Sequence, residues 1–198
     1  EICKVKNPAH QAWIGQTIAT LSTQQNKDPL DTFFDLAIAD ELGTEFALPM
    51  LNSDPTLLKD VITDPRVMLG LSDGGAHVDM LCNTGYPTYL LGTWVRERET
   101  MSWERAVQRI TSEPAQFFGL NDRGTIAQAK AADLVIFDPQ TVGAGAKEIL
   151  KDLPGGEGRF VQYAQGIHSV LVNGVVVLAN GRHSGALPGQ VLRARQQA

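Results

Sequence analysis

The chain is poor in cysteine and histidine. Cys3 and Cys82 are the only cysteines among its 198 residues, and there are only four histidines. Two isolated thiols make no disulfide framework and lack the paired spacing of a structural metal site, so a reducing cytoplasm is the expected compartment. No apolar run approaches the length of a membrane span, and no secretory signal opens the chain. Lysine and arginine form no block, and the formal net charge is -5. That balance argues against nucleic acid as the main partner. There is no internal repeat and no low-complexity segment. The first residue is Glu1 rather than Met, and Glu1 to Val5 already reads as a strand under way.

What is present is ordinary for a soluble globular chain: 43% hydrophobic and 20% charged residues. Asp28-Pro29 predicts a helix start, because Asp accepts the free N–H groups and Pro fits the first helical position. Leu30, Phe33, Phe34 and Ala37 then recur at helical spacing. Asp54-Pro55 repeats the device ahead of Leu58, Val61 and Ile62. Phe46 to Met50 and Val67 to Leu71 read as short strands. Trp103, Ala106, Val107 and Ile110 predict another amphipathic helix, and Ser112-Glu113-Pro114 a shorter one.

Helices alternating with short apolar strands predict an α/β fold of about three parallel βα units. A closed barrel needs eight such units and roughly 250 residues, so the portion here is incomplete as a barrel. The pattern changes near Gly124. Asp133 to Phe137 reads as a strand and Gln140 to Arg159 as a long loop. Ser169 to Leu178, centred on Asn173-Gly174, carries the signature of a hairpin with a type I′ turn. Asn180-Gly181 marks a second turn. Trp13, Trp94 and Trp103 read as core or domain-contact residues.

Asp73 is the most informative position. It follows the apolar run Val67 to Leu71 and opens Asp73-Gly74-Gly75-Ala76-His77. The carboxyl end of a buried strand is where barrel and open-sheet enzymes build their sites. The glycines let the backbone turn sharply and pass close to a ligand. The structural alternative is an Asp that caps the next turn. His77, four residues on, is a candidate for contacting substrate or orienting Asp73, or else a surface histidine. Arg96 and Arg98 are candidates for clamping a carboxylate, or else solvated arginines. His183 fits a turn, and His10 and His168 carry no motif.

Taken in order, these blocks resemble a known family. They are Ser72-Asp73-Gly74-Gly75-Ala76-His77, Leu91-Gly92-Thr93-Trp94-Val95-Arg96, Thr111-Ser112-Glu113-Pro114-Ala115, Ala131 to Pro139, Val172-Asn173-Gly174 and Gly185 to Arg193. They resemble the C-terminal portion of the amidohydrolase superfamily, and within it the N-acyl-D-amino-acid deacylase (D-aminoacylase) group. The resemblance runs from about Gly15 to the end of the chain. It implies a metal-dependent (β/α)8 barrel flanked by a β-sandwich. Residues 1–123 would be the C-terminal part of the barrel, and 124–198 the C-terminal share of the sandwich. Phe46 to Met50 would be the seventh strand and Val67 to Leu71 the eighth.

The resemblance also implies the chemistry: hydrolysis of a non-peptide C–N bond in an N-acyl amino acid or related amide. Asp73 would be the general base and a possible metal ligand, with His77 and Arg96 at the substrate. The cofactor would be zinc, one or two ions. Its other ligands would lie outside this chain, because the family's ligating histidines and cysteine precede residue 1 and neither Cys3 nor Cys82 matches them. A missing N-terminal segment or self-association is therefore expected, since isolated parallel strands leave open edges. Two other readings are a noncatalytic remnant of the fold and a cyclic-amide hydrolase related to hydantoinases or dihydroorotases.

Overall fold

The computed structural model describes residues 1–48, 51–70 and 72–193. The chain divides into two compact units, Glu1–Leu58 and Lys59–Ala198.

The first unit is built on strand β1 (Ile2–Lys4), helices α1 (Ile18–Gln25) and α2 (Pro29–Ala39), and strand β2 (Glu45–Phe46). The proline-led start of α2 forms as expected: Asp28 Oδ1 accepts from the N–H of Leu30 at 2.8 Å. Helix α1 has no such signal in composition. It is capped by Thr17, whose Oγ1 accepts from Thr20 N at 3.0 Å, and it ends where Asn26 turns left-handed at φ 50°. Ile2, Val5, Leu21 and Leu36 make the core, with Trp13, Ile18 and Phe46 packed on it. The opposite side of α2 carries Leu30, Phe34 and Ile38, all exposed.

Asp40 braces this unit from the end of α2. Its side chain is 1% exposed. It accepts from the backbone N–H groups of Lys6 and Asn7, each at 2.8 Å, and from Thr44 Oγ1 at 2.8 Å. His10 Nδ1 lies 3.0 Å away, and its ring stacks on Trp13 at 3.8 Å. Burial pushes the Asp40 carboxyl up, but the two backbone donors, Thr44 and His10 outweigh it and hold the group well below the usual carboxylate range.

The second unit holds the helical segment 86–117 and the later strands. Helix α3 (Pro55–Thr63) starts at Asp54 as expected, with Asp54 Oδ1 accepting from Thr56 N at 2.8 Å. The buried guanidinium of Arg109 closes its far end, donating to Ile62 O at 3.0 Å and Asp64 O at 3.1 Å. A cation suits the exposed carbonyls of a helix C-terminus. Helix α4 (Tyr86–Tyr89) runs into a π-helical segment, Leu90–Glu97, whose Leu90, Leu91, Trp94 and Val95 are buried. Helices α5 (Trp103–Ile110) and α6 (Ser112–Phe117) follow where helical spacing placed them.

The strands are β3 (Leu134–Phe137), β4 (Gly143–Leu150), β5 (Arg159–Gln165), β6 (Ile167–Val172), β7 (Val175–Ala179) and β8 (Arg182–His183). They form a four-stranded sheet in the order β3-β6-β7-β8 and a separate β4-β5 pair. The Asn173-Gly174 turn has φ values of 49° and 80°, both in the left-handed region that a type I′ turn requires. Asp133 Oδ1 accepts from Asn173 N at 2.8 Å, and Asn173 Nδ2 donates to Pro188 O at 2.9 Å, so this turn also holds the tail.

Two expectations are corrected. The supposed loop Gln140 to Arg159 contains β4, which pairs with β5 from Gly143↔Gln165 to Leu150↔Arg159. Its opening Gly-Ala-Gly-Ala lacks the β-branched and aromatic residues that mark strands in sequence. Among the described residues, moreover, every ladder is antiparallel, including β1 with β2. Phe46 pairs with Ile2 rather than with a parallel neighbour, and residues 67–70 join no ladder. A barrel strand has neighbours on both sides; among the described residues the expected seventh strand has one, antiparallel, and the expected eighth has none. Pro49, Met50 and Leu71, which belong to those two expected strands, lie outside the described residues.

Two predictions follow from the first unit. Leu36→Ala should lower its stability by roughly 2–5 kcal/mol, the usual cost of a leucine-to-alanine cavity, as read from urea unfolding. The second concerns acid. The Asp40 carboxyl has a folded pKa below its unfolded value of about 3.9, so its stabilisation is full above that pH and is lost as pH falls toward the folded value. Unfolding followed by circular dichroism should steepen below about pH 4, and Asp40→Asn should flatten that limb. An unchanged limb would contradict the brace.

Candidate active-site loop

The stretch 72–85 is a chain of tight turns. Ser72 Oγ accepts from Gly74 N at 3.3 Å, and the carbonyl of Asp73 accepts from Ala76 N at 2.9 Å. His77 adopts φ 46°, and its carbonyl takes the N–H groups of both Met80 and Leu81 at 2.8 Å. Gly74 is needed for space: a Cβ there would overlap the methyl of Thr84. The loop is fastened to β5, where Phe160 N donates to Val78 O at 2.7 Å. A Cβ at Gly85 would likewise come within 2.9 Å of Gln162 Oε1, and Gln162 is itself tied to Gly145 O at 2.8 Å. Between loop and strand lies a cavity of about 360 Å³ bordered by Gly74, Cys82, Arg159 and Tyr163.

Asp73 and His77 are both exposed, and among the described residues neither side chain makes a hydrogen bond. Arg96 stands on the π-helical segment. Its Nη1 donates to Val142 O at 2.6 Å and Gln140 O at 3.3 Å, and its Nη2 to Glu97 at 2.8 Å. These contacts hold the entry of β4 against the helix, and the structure brings Arg96 into no contact with Asp73 or His77. Arg98 lies over the Trp94 ring at 4.9 Å. His183 stands in β8 opposite Leu178 rather than in a turn, its Nδ1 accepting from Gly185 N at 2.9 Å.

The described residues do not by themselves make a metal site. Among the described residues no three His, Cys, Asp or Glu side chains gather closely enough to hold an ion. Away from the cavity lining, Arg66, through its side chain and its backbone N–H, lowers the Asp64 carboxyl to about 2. Sequence reasoning missed Arg159 and the cavity, because β5 begins where a loop was expected. It missed Asp40 because three of its partners, Lys6, Asn7 and His10, lie thirty or more residues away in sequence.

With this geometry in view, the comparisons with known proteins are specific. The family model described as "Amidohydrolase family" matches residues 5–178. The chain belongs to the amidohydrolase family. The N-acyl-D-aspartate deacylase of Alcaligenes xylosoxydans xylosoxydans is 39% identical over 105 residues, which is 53% of this chain and 19% of that protein. The D-aminoacylase of the same organism is 29% identical over 180 residues, 90% of this chain and 34% of that protein. In three dimensions the chain resembles the N-acyl-D-glutamate deacylase of Bordetella bronchiseptica, solved with zinc and a phosphonate mimic of the tetrahedral intermediate. The TM-score is 0.52 at 31% identity, covering 98% of this chain and 37% of that one. This amidohydrolase chain thus spans about a fifth to a third of the curated relatives it matches. Among the described residues no helix is long and apolar enough to cross a membrane.

The loop packing is testable in stability alone. Gly74→Ala should lower the melting temperature and raise proteolysis within 72–85. Adding Thr84→Ser, which removes the obstructing methyl, should restore most of the loss. Non-additivity in that double-mutant cycle is the expected sign of direct contact.

Proposed function

We propose that this chain is part of a metal-dependent amidohydrolase that cleaves N-acyl-D-amino acids and that Asp73 is its general base. The observation that carries this reading is a carboxylate at the head of the tightly turned, glycine-containing loop, in a family chain whose relatives are named as D-amino-acid deacylases. In this reading residues 1–123 are the barrel share and 124–198 the sandwich share of a cytoplasmic enzyme. The exposed Asp73 is covered by barrel strands that a complementary segment or chain supplies.

Amide hydrolysis needs a water made nucleophilic and a proton for the departing nitrogen. Asp73 accepts a proton from the water as its oxygen attacks the acyl carbon. It then delivers that proton to the nitrogen as the C–N bond breaks, releasing a carboxylate and a free amino acid. The two glycines that follow keep side chains away from the substrate backbone. His77 is assigned to the substrate beside it. The same role for Arg96 requires its guanidinium to exchange Glu97 and the β4 carbonyls for a carboxylate. Zinc, in one or two ions, is the metal of the proposal. Its ligands are assigned to residues outside this chain, so the steps proposed here run through Asp73 alone.

One observation favours a second reading. The want of any ligand cluster among the described residues fits a noncatalytic module that keeps the fold's end without its chemistry. A chimera separates the two. This chain would replace the matching segment of the Alcaligenes D-aminoacylase, leaving the host to provide the remainder. The chimera should hydrolyse N-acyl-D-amino acids and lose that activity to a chelator. Asp73→Asn should lower kcat by about 10²–10⁴-fold with little change in KM. A folded, metal-loaded chimera that is inactive favours the noncatalytic module, and a kcat that survives the substitution removes Asp73 from the chemistry.

A further inference from the structure

The sequence holds two Asn-Gly pairs, Asn173-Gly174 and Asn180-Gly181. Each forms the turn of a hairpin, the first between β6 and β7 and the second between β7 and β8. Their backbones nearly coincide, with φ values of 49° and 80° at the first turn and 49° and 76° at the second. What differs is how each is tied. At the first turn Gly174 N donates to Ala132 O at 3.0 Å, Asn173 N to Asp133 Oδ1 at 2.8 Å and Asn173 Nδ2 to Pro188 O at 2.9 Å. Asn173 is half-buried, whereas Asn180 and Gly181 are exposed. At the second turn Asn180 N donates to His168 O at 2.8 Å. Among the described residues neither the Asn180 side chain nor the N–H of Gly181 has a hydrogen-bond partner, and the position of a Cβ on Gly181 is open space.

We propose that Asn180 is a site of spontaneous modification, where the side-chain amide becomes a carboxylate, and that the fold protects Asn173 from the same fate. The backbone nitrogen after an asparagine attacks the side-chain amide once it has lost its proton, and glycine there leaves the approach clear because it has no Cβ. Base removes the proton of Gly181 N, and the nitrogen attacks Asn180 Cγ. The N–Cγ bond forms, the Cγ–Nδ2 bond breaks, and Nδ2 departs as ammonia with a proton from water. Water then opens the cyclic imide. Attack at Cγ yields aspartate, and attack at the main-chain carbonyl yields isoaspartate, whose backbone runs through Cβ. Water is the only co-reactant, and nothing is oxidised or reduced. At Asn173 this attack first requires Gly174 N to leave Ala132 O and the amide to leave Pro188 O, and each lost hydrogen bond raises the barrier. At Asn180 neither cost arises. Strand β8 has only two residues, paired as Leu178↔His183 and Ala179↔Arg182, so this turn sits at the weakly held end of the sheet. An isoaspartate there adds a carbon to the turn and breaks that register.

The test compares the two pairs within one molecule. The full chain is held at mildly alkaline pH in heavy-oxygen water, folded and in urea, and peptides covering both turns are followed by mass spectrometry. In the folded chain Asn180 should take up the label roughly tenfold or more faster than Asn173, the worth of two ordinary hydrogen bonds. The product should be a mixture of aspartate and isoaspartate. In urea the two rates should converge, because both pairs then present the same unconstrained Asn-Gly bond. Asp133→Ala, which removes the acceptor of Asn173 N, should speed conversion at Asn173 and leave Asn180 unchanged. A folded-state rate at Asn173 equal to or above that at Asn180 would overturn the proposal, as would a preference that persists unchanged in urea. Conversion of Asn180 in urea but not in the folded chain would overturn it too. If Asp133→Ala fails to fold, the comparison of folded chain with urea still decides. The labelling involves no turnover, so its outcome is independent of the role of Asp73.

Discussion

A single backbone hydrogen bond organises the candidate site: Phe160 N to Val78 O, at 2.7 Å. The stretch that carries Asp73 has no strand pairing of its own, and only turns hold its internal shape. Such a loop keeps a defined form only if something rigid backs it. Strand β5 is that backing. It is paired with β4 on one edge and uses an N–H to reach the loop. The close fits of Gly74 on Thr84 and Gly85 on Gln162 leave little freedom for the loop to drift.

The same contact explains why the cavity lies where it does. A hairpin docked on a glycine-containing loop leaves a gap where a side chain is missing, and Gly75, whose Cβ position is open space, is such a missing wall. Arg159 enters that gap from the first residue of β5, and its plane is set by Asp152. Scaffold and carboxylate therefore stand on different stretches of chain. The hairpin gives position and charge, and the loop gives the carboxylate.

Legibility from sequence followed the range of the interactions. Asp28-Pro29, Asp54-Pro55 and Asn173-Gly174 were readable because cap and turn chemistry is decided within three or four residues. Helix α5 was readable from its spacing. Strand β4 was not, because Gly143 to Ala146 carry no strand preference and become a strand only through pairing with β5. The π-helical segment was equally hidden. Asp73 and His77 stand out as a motif, yet nothing local announces that their side chains are exposed here. The family was legible because its motifs occur in a fixed order. The parallel ladder was expected from strands that need neighbours on both sides, and among the described residues no parallel neighbour is present.

The central claim is that the Asp73 carboxylate faces the reacting atoms once the rest of the barrel surrounds it. The most direct measurement is a crystal structure of the chimera with a phosphonate mimic of the tetrahedral intermediate. The account predicts an Asp73 carboxylate oxygen about 2.6–3.2 Å from a phosphonate oxygen or the amide-mimicking atom, the reach of a proton-transferring group. An inhibitor bound in the site with Asp73 still directed into solvent would contradict it.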